Sequence, residues 1–319
     1  MLRSANHGEY GAGMHPRYAI GIDLGGTTLN AGLVDEAGTI EHFVQQPCRV
    51  GESAEAPLIA IEAVVRRLRD LSGNAVAAVG FGLPGAIDPE RGTLVGRTPH
   101  LPHWSDFPIR ERLAARLQLP IVVDNDANAA AFGEYRCGAA RGARLAIMVT
   151  VGTGVGCGIV ADGTVVRGAY GGAGEIGHLP IGSGTVPCRC GVPHCIEPEM
   201  SGSGLAREAA REGHASRSAS ELFAAAEQGD AAASRLVDTM AQRLALTLSI
   251  AINLLNPDIV VMGGGVMSAG EPLLARLRAG VRQFALESHH RELKLVASAL
   301  GERSGVAGAG LLALAAARP

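Results

Sequence analysis

The sequence predicts an α/β fold of two domains around a cleft, and three observations carry that reading. At 319 residues the chain is long enough for two compact domains, each with its own core. Two segments, Ala19–Asp35 and Ala146–Asp162, each read as strand, Gly-Thr turn, strand, with Gly25 and Gly152 lying 127 residues apart. One residue must be dropped to align Gly32 with Gly158, so a duplicated hairpin is expected, one copy per domain. Between them, the apolar run Ile121-Val122-Val123 leads into Asp124-Asn125-Asp126-Ala127-Asn128 and an Ala-rich helical segment reaching Tyr135, a strand-to-helix junction.

Taken in order, residues 1–17 are rich in Gly, His and Asn and lack the apolar core of a signal peptide, so a disordered extension is expected. The first hairpin carries Asp23, Gly25, Gly26, Thr27 and Thr28; the second carries Gly152, Thr153 and Gly154. Glycine permits close approach and positive φ, so such turns can aim N–H groups and a Thr hydroxyl at phosphate oxygens. Two of them facing across a cleft would clamp one triphosphate. Asp23 sits where a hard oxygen ligand can hold Mg²⁺, or where a carboxylate caps its own turn. At the junction, one Asp or Asn is explained as a helix cap, but four polar residues are not. Asp126 is the candidate general base for a hydroxyl attacking a γ-phosphate, and Asn125 offers a donor and an acceptor to neighbouring hydroxyls. Farther on, apolar residues at Leu236, Met240, Leu244, Leu248 and Ile252 predict a helix ending at Asn256-Pro257. The strand Ile259–Met262 then runs into Gly263-Gly264-Gly265, a side-chain-free turn that can accept a base or ribose.

Composition removes several function classes. No apolar run reaches the roughly 18 residues of a membrane span. Net charge is −3 with a single lysine, Lys294, so the basic footprint of a nucleic-acid binder is missing. A soluble, cytoplasmic protein is expected.

The stretch from His178 to Glu197 holds the densest chemistry: His178, Cys188-Arg-Cys190 and Cys195-Ile-Glu197. One His and three Cys make a tetrahedral zinc set. A disulfide cluster or three unrelated thiols share the spacing, but in a reducing compartment the metal reading is favoured. Cys48, Cys137 and Cys157 are scattered and expected to act as small buried hydrophobes.

Six motifs together resemble the ROK family of sugar kinases and sugar-responsive repressors: Asp23-Leu-Gly-Gly-Thr27, Gly82-Leu-Pro-Gly85, Asn125-Asp126-Ala-Asn128, Gly152-Thr-Gly154, Glu175-Ile-Gly-His178 and the cysteine knuckle through Glu197. The resemblance runs from Tyr18 to the C-terminal helix. It implies an actin-like ATPase fold of the hexokinase, ribonuclease H-like type, with a small α/β domain (18–122 plus 301–319) and a large one (123–300) bearing a zinc knuckle at 178–195. A final helix over Ala307–Ala317 returns to the first domain. The implied activity is transfer of the ATP γ-phosphate to a hexose, most often at O6, with Mg²⁺ and a structural Zn²⁺. Glucokinase-like action is expected first, with N-acetylglucosamine, N-acetylmannosamine or another aminosugar as the alternative acceptor. By the family pattern Asp126 is the base; Gly85, Asn125, Glu175, His178 and Glu197 line the sugar; His178, Cys188, Cys190 and Cys195 bind zinc. The family further implies a homodimer or dimer of dimers.

Two positions depart from the pattern. Where glucokinase-like members have Pro-Asn-Leu with the Asn on the sugar, this chain has Pro99-His100-Leu101, which puts the sugar and its 2-substituent in question. His194 stands where Gly is common, and a left-handed backbone there is expected rather than a fifth zinc ligand. A sugar-sensing regulator is the reading from another class. The seventeen residues before Tyr18 show no helical periodicity, which disfavours a DNA-binding domain in them.

Overall fold

The computed structural model describes residues 17–317 apart from 74, 97 and 99, so the expected extension, except for Arg17, lies outside the described residues. The first half runs β1 (Tyr18–Leu24), β2 (Thr28–Val34), β3 (Ile40–Pro47), α1 (Ala56–Leu71), β4 (Val76–Leu83), β5 (Ile87–Asp88), β6 (Thr93–Leu94), α2 (Ile109–Leu117), β7 (Ile121–Asn125) and α3 (Asp126–Cys137). The second runs β8 (Leu145–Val151), β9 (Val155–Ala161), β10 (Thr164–Val165), α4 (Glu197–Met200), α5 (Gly202–Arg211), α6 (Ala219–Glu227), α7 (Ala231–Leu255), β11 (Ile259–Gly263), α8 (Glu271–Phe284), α9 (Glu287–His290), β12 (Lys294–Ala297) and α10 (Ser304–Ala316).

The duplication extends well past the hairpin. One five-stranded sheet has the order β3-β2-β1-β4-β7 and the other β10-β9-β8-β11-β12. In each, three antiparallel strands are followed by two strands parallel to the first of them. Pairing closes on Leu24 and Leu29 in the first hairpin but on Val151 and Val155 in the second, leaving turns of 25–28 and 152–154. That one-residue difference is the deletion the sequence alignment requires. β7 stays in the first sheet through Asn125, pairing Gly82 with Asp124 and Leu83 with Asn125, three residues past the expected boundary at 122.

Two helices lie between the sheets, and small residues let them in. A Cβ on Gly80 of β4 would sit 1.9 Å from the Ala309 carbonyl oxygen, and one on Gly308 of α10 would sit 1.6 Å from that of Ala129 on α3. Both distances are far inside van der Waals contact, so α10 meets sheet and helix backbone to backbone. On its other side α3 meets the second sheet, where a Cβ on Gly158 of β9 would lie 2.3 Å from the Ala127 oxygen. One apolar cluster accordingly draws on both halves, joining Val34, Ala129, Phe132, Met148, Val261, Val306 and Leu311. Separate cores fill the outer faces, one against α1 and α2 and one against α7 and α8.

Some boundaries differ from expectation. α10 starts at Ser304, three residues ahead of Ala307, because Ser304 and Gly305 are buried with the rest of the helix. α7 stops where predicted, with Asn256 left-handed at φ 48 ahead of Pro257. Cys48 and Cys157 are buried as expected, and Cys137 is half-buried.

Candidate active site

Asp126 opens α3 directly after β7, and Asn125 caps the helix by accepting from the Asn128 N–H at 3.0 Å. The Asn125 side-chain amide donates to the Gly85 carbonyl at 3.1 Å, which brings two predicted sugar residues together. Asn125 is therefore already bonded at both ends, and its side chain also steadies the Asp126 carboxylate. Partial burial raises the Asp126 carboxyl above the ordinary carboxylate range, offset by the Ala127 N–H and by attraction to His100. Asp23, at the end of β1, is pushed up to about 7 by burial first and by the Asp126 charge second, with the Asn30 amide opposing at 3.3 Å. Asp23 and Asp126 thus sit at the ends of β1 and β7 on either side of β4, near enough for the Asp126 charge to act on Asp23, which a cation would relieve.

The glycine turns divide their work. Gly25 N–H closes its turn on the Thr28 oxygen and Gly152 N–H on the Gly154 oxygen, both at 2.9 Å, so these two amides shape the turns. Gly152 and Thr153 are in turn braced by α5: Gly202 N–H donates to the Gly152 oxygen at 2.8 Å and Ser203 Oγ donates to the Thr153 oxygen. In the third turn Gly263 packs inward on Met148, Gly264 has φ 83 and presses on Val151, and Gly265 faces open space. This brings the Gly263–Gly265 turn beside the second hairpin, as a nucleotide site spanning both would need.

The other wall carries Glu175, His178 and Glu197. Glu175 Oε2 lies 3.8 Å from His178 Nε2, and burial raises its carboxyl, with His178 opposing and Asp126 and Glu197 adding. His178 points its other nitrogen at sulfur: Nδ1 is 3.3 Å from Cys195 Sγ and 3.9 Å from Cys188 Sγ. The ligating atoms of His178, Cys188, Cys190 and Cys195 all lie within 4.8 Å of one another. A tetrahedron with Zn–S of about 2.3 Å has edges of roughly 3.8 Å, so the set fits zinc. Burial, then the neighbouring thiols, pushes the Cys195 thiol up, a cost that a bound dication removes. His194 is left-handed at φ 56 and stands outside that set, as expected. Glu197 accepts from the Val155 N–H at 3.1 Å and from Cys188 Sγ at 3.5 Å, and so joins the knuckle to the second hairpin.

Three supports were not read from the sequence. Asp124, 3% exposed, receives Arg167 Nε at 2.9 Å and Nη2 at 2.6 Å on one oxygen, and on the other the Asn125 N–H and the Asn128 amide. Arg167 follows β10, so this pair ties the second sheet to the junction that presents Asp126. Glu134, 1% exposed, accepts from Ala139, Ala299 and Leu300 N–H and from Ser298 Oγ, which fixes the end of α3 to the link between β12 and α10. Ser203 is the third. A lone Arg or Glu carries no periodic signal, whereas Ser201-Gly-Ser-Gly204 could have been read as a capped helix start.

A buried carboxylate stripped of its partner is costly. Arg167→Met should lower unfolding free energy by about 3 kcal/mol, while Arg167→Met combined with Asp124→Asn should lose less than the single change. Denaturant titration of both variants checks this; equal losses would remove the charge argument.

A model of the ROK family matches residues 19–316. A glucokinase of Halalkalibacterium halodurans is 35% identical over 319 residues, covering 94% of this chain and 96% of that protein. The ROK hexokinase from Thermus thermophilus superposes with a TM-score of 0.82 at 34% identity, covering 94% and 98% of the two chains. A ROK family glucokinase from Streptomyces griseus, crystallised with glucose and AMPPNP, gives 0.82 at 33% identity over 93% and 99%. The paired sheets and these likenesses bear out the actin-like, hexokinase-type fold, and the chain belongs to the ROK family.

Proposed function

We propose that this chain is an ATP-dependent hexose kinase that phosphorylates glucose at O6. The observation that carries the reading is Asp126, half-buried just after β7, whose charge acts both on Asp23 before the first glycine turn and on Glu175 of the His178 wall. The glucokinase likeness supports the substrate class. In the reaction Asp126 takes the hydroxyl proton as the O6–P bond forms, and the bond from the γ-phosphorus to the bridging oxygen breaks to release ADP. Thr27, Thr28, Thr153 and the Gly26 and Gly154 amides hold phosphate oxygens, Gly264 and Gly265 lie under the nucleoside, and Asp23 would hold Mg²⁺, which would supply charge neutralisation at the phosphates. Gly85, Asn125, Glu175, His178 and Glu197 take sugar hydroxyls. His178, Cys188, Cys190 and Cys195 would hold zinc, which would orient the His178 ring toward the sugar. The small lobe, 18–125 with 301–317, closes on the remainder to exclude water.

Among the described residues no helix is long and apolar enough to cross a membrane. Cytoplasmic location and a homodimer or dimer of dimers are part of the proposal.

An ADP-release assay over glucose, mannose, fructose, glucosamine, N-acetylglucosamine and N-acetylmannosamine tests the function. Glucose should give the highest kcat/KM, and Asp126→Asn should lower kcat by about 10²–10⁴-fold. Parent-level transfer by that variant would reject the base, and no turnover with any hexose would reject the kinase.

Zinc has its own test. Chelation of a protein that stays folded should weaken glucose binding well before AMPPNP binding, measured by calorimetry. Equal weakening of both would contradict an orienting role confined to the sugar wall.

A further inference from the structure

His100 does not sit simply where a sugar-contacting side chain is expected. Its ring lies on the first phosphate turn: a Cβ added to Gly26 would be 3.2 Å from His100 Nδ1 and 3.8 Å from its Cβ. The same imidazole acts electrostatically on Asp126, so the turn and the candidate base both neighbour it. The loop that carries it is anchored on its C-terminal side. Leu101 and Trp104 are each 1% exposed, Trp104 Nε1 donates to the Ala54 oxygen at 2.9 Å and its ring stacks on Phe107, and His103 Nε2 bonds the Gly51 oxygen at 3.0 Å. These contacts dock residues 101–104 onto the segment 51–54, just after the first hairpin and β3. His100 itself is half-buried, with its backbone N–H directed at Thr98 Oγ1 at 3.4 Å. Its position over Gly26 is therefore preorganised by neighbours rather than by its own side chain.

Phosphoryl transfer moves negative charge onto the equatorial oxygens and the leaving bridge, and donors fixed along that path stabilise it most. An imidazole packed on a phosphate turn and facing the base is such a donor. We propose that His100 contacts the transferring γ-phosphoryl group rather than the sugar, and so replaces a sugar-reading position by a phosphate-reading one. The inference rests on the kinase reading, since it takes the Gly26 turn as the phosphate site.

The test separates γ-phosphate from the rest of the nucleotide. Affinities for Mg·AMPPNP, Mg·ADP and glucose are measured by calorimetry for the parent, His100→Ala and His100→Asn, with thermal melting to establish folding. Both variants should lose about tenfold for AMPPNP, less than twofold for ADP, and nothing for glucose. A selective fall in glucose affinity, equal losses for the two nucleotides, or no loss at all would each overturn the assignment. Parent protein that binds AMPPNP but phosphorylates no hexose would defeat the kinase reading instead, while the AMPPNP-to-ADP comparison still decides where His100 acts.

Discussion

The structure depends on how closely α3 and α10 approach the two sheets. A helix normally stands off a sheet by the length of its side chains, but at Gly80, Gly158 and Gly308 no side chain intervenes and main chain meets main chain. The result is a thin shared layer with very little room to adjust, because packed interiors transmit rather than absorb displacements. Asp126 is the first residue of that layer, and its position relative to both glycine hairpins is set by the helix it begins. Glu134 fixes the other end of the same helix to the approach to α10.

Charge is arranged around that layer with a consistent sign. Asp23, Asp126 and Glu175 are all raised by burial and, for Asp23 and Glu175, by the Asp126 charge, while the adjacent Asp124 is bonded to Arg167. A carboxylate cluster left uncompensated is unfavourable, and it becomes favourable when a dication and donors enter. The proposed base, Asp126, would need its proton affinity nearer the operating pH, and partial burial moves it in that direction. The cysteine knuckle follows similar logic: protonated thiols crowd one another, and a metal at their centre would replace repulsion with coordination.

Much of this was legible because it is local. The hairpins, the Asn256-Pro257 stop, the left-handed His194 and the His/Cys set all follow from spacing and backbone preference over short stretches, and the structure carries each of them. The duplication was visible only in the hairpin, because parallel strands such as β4 and β11 are uniformly apolar runs whose order in a sheet leaves no periodic trace. Domain limits were blurred because β7 pairs with β4 through Asn125 while the helix it leads into belongs to both halves. Arg167 and Glu134 were invisible, since their partners lie 43 and more than 160 residues away. His100 was singled out in the sequence pattern, yet its contact with Gly26 depends on Leu101, His103 and Trp104 docking on a segment about fifty residues earlier.

The shared layer is tested most directly by adding one methyl group to it. In Gly308→Ala the new carbon would lie 1.6 Å from the Ala129 oxygen, whereas Gly51→Ala meets nothing within 4 Å and serves as the control. Unfolding free energy and kcat with ATP and glucose are measured on both. Gly308→Ala should lose at least about 1–3 kcal/mol and show a reduced kcat, with the control near parent values. Parent stability and parent rate in Gly308→Ala would contradict the claim that backbone contact between α3 and α10 holds Asp126 in position.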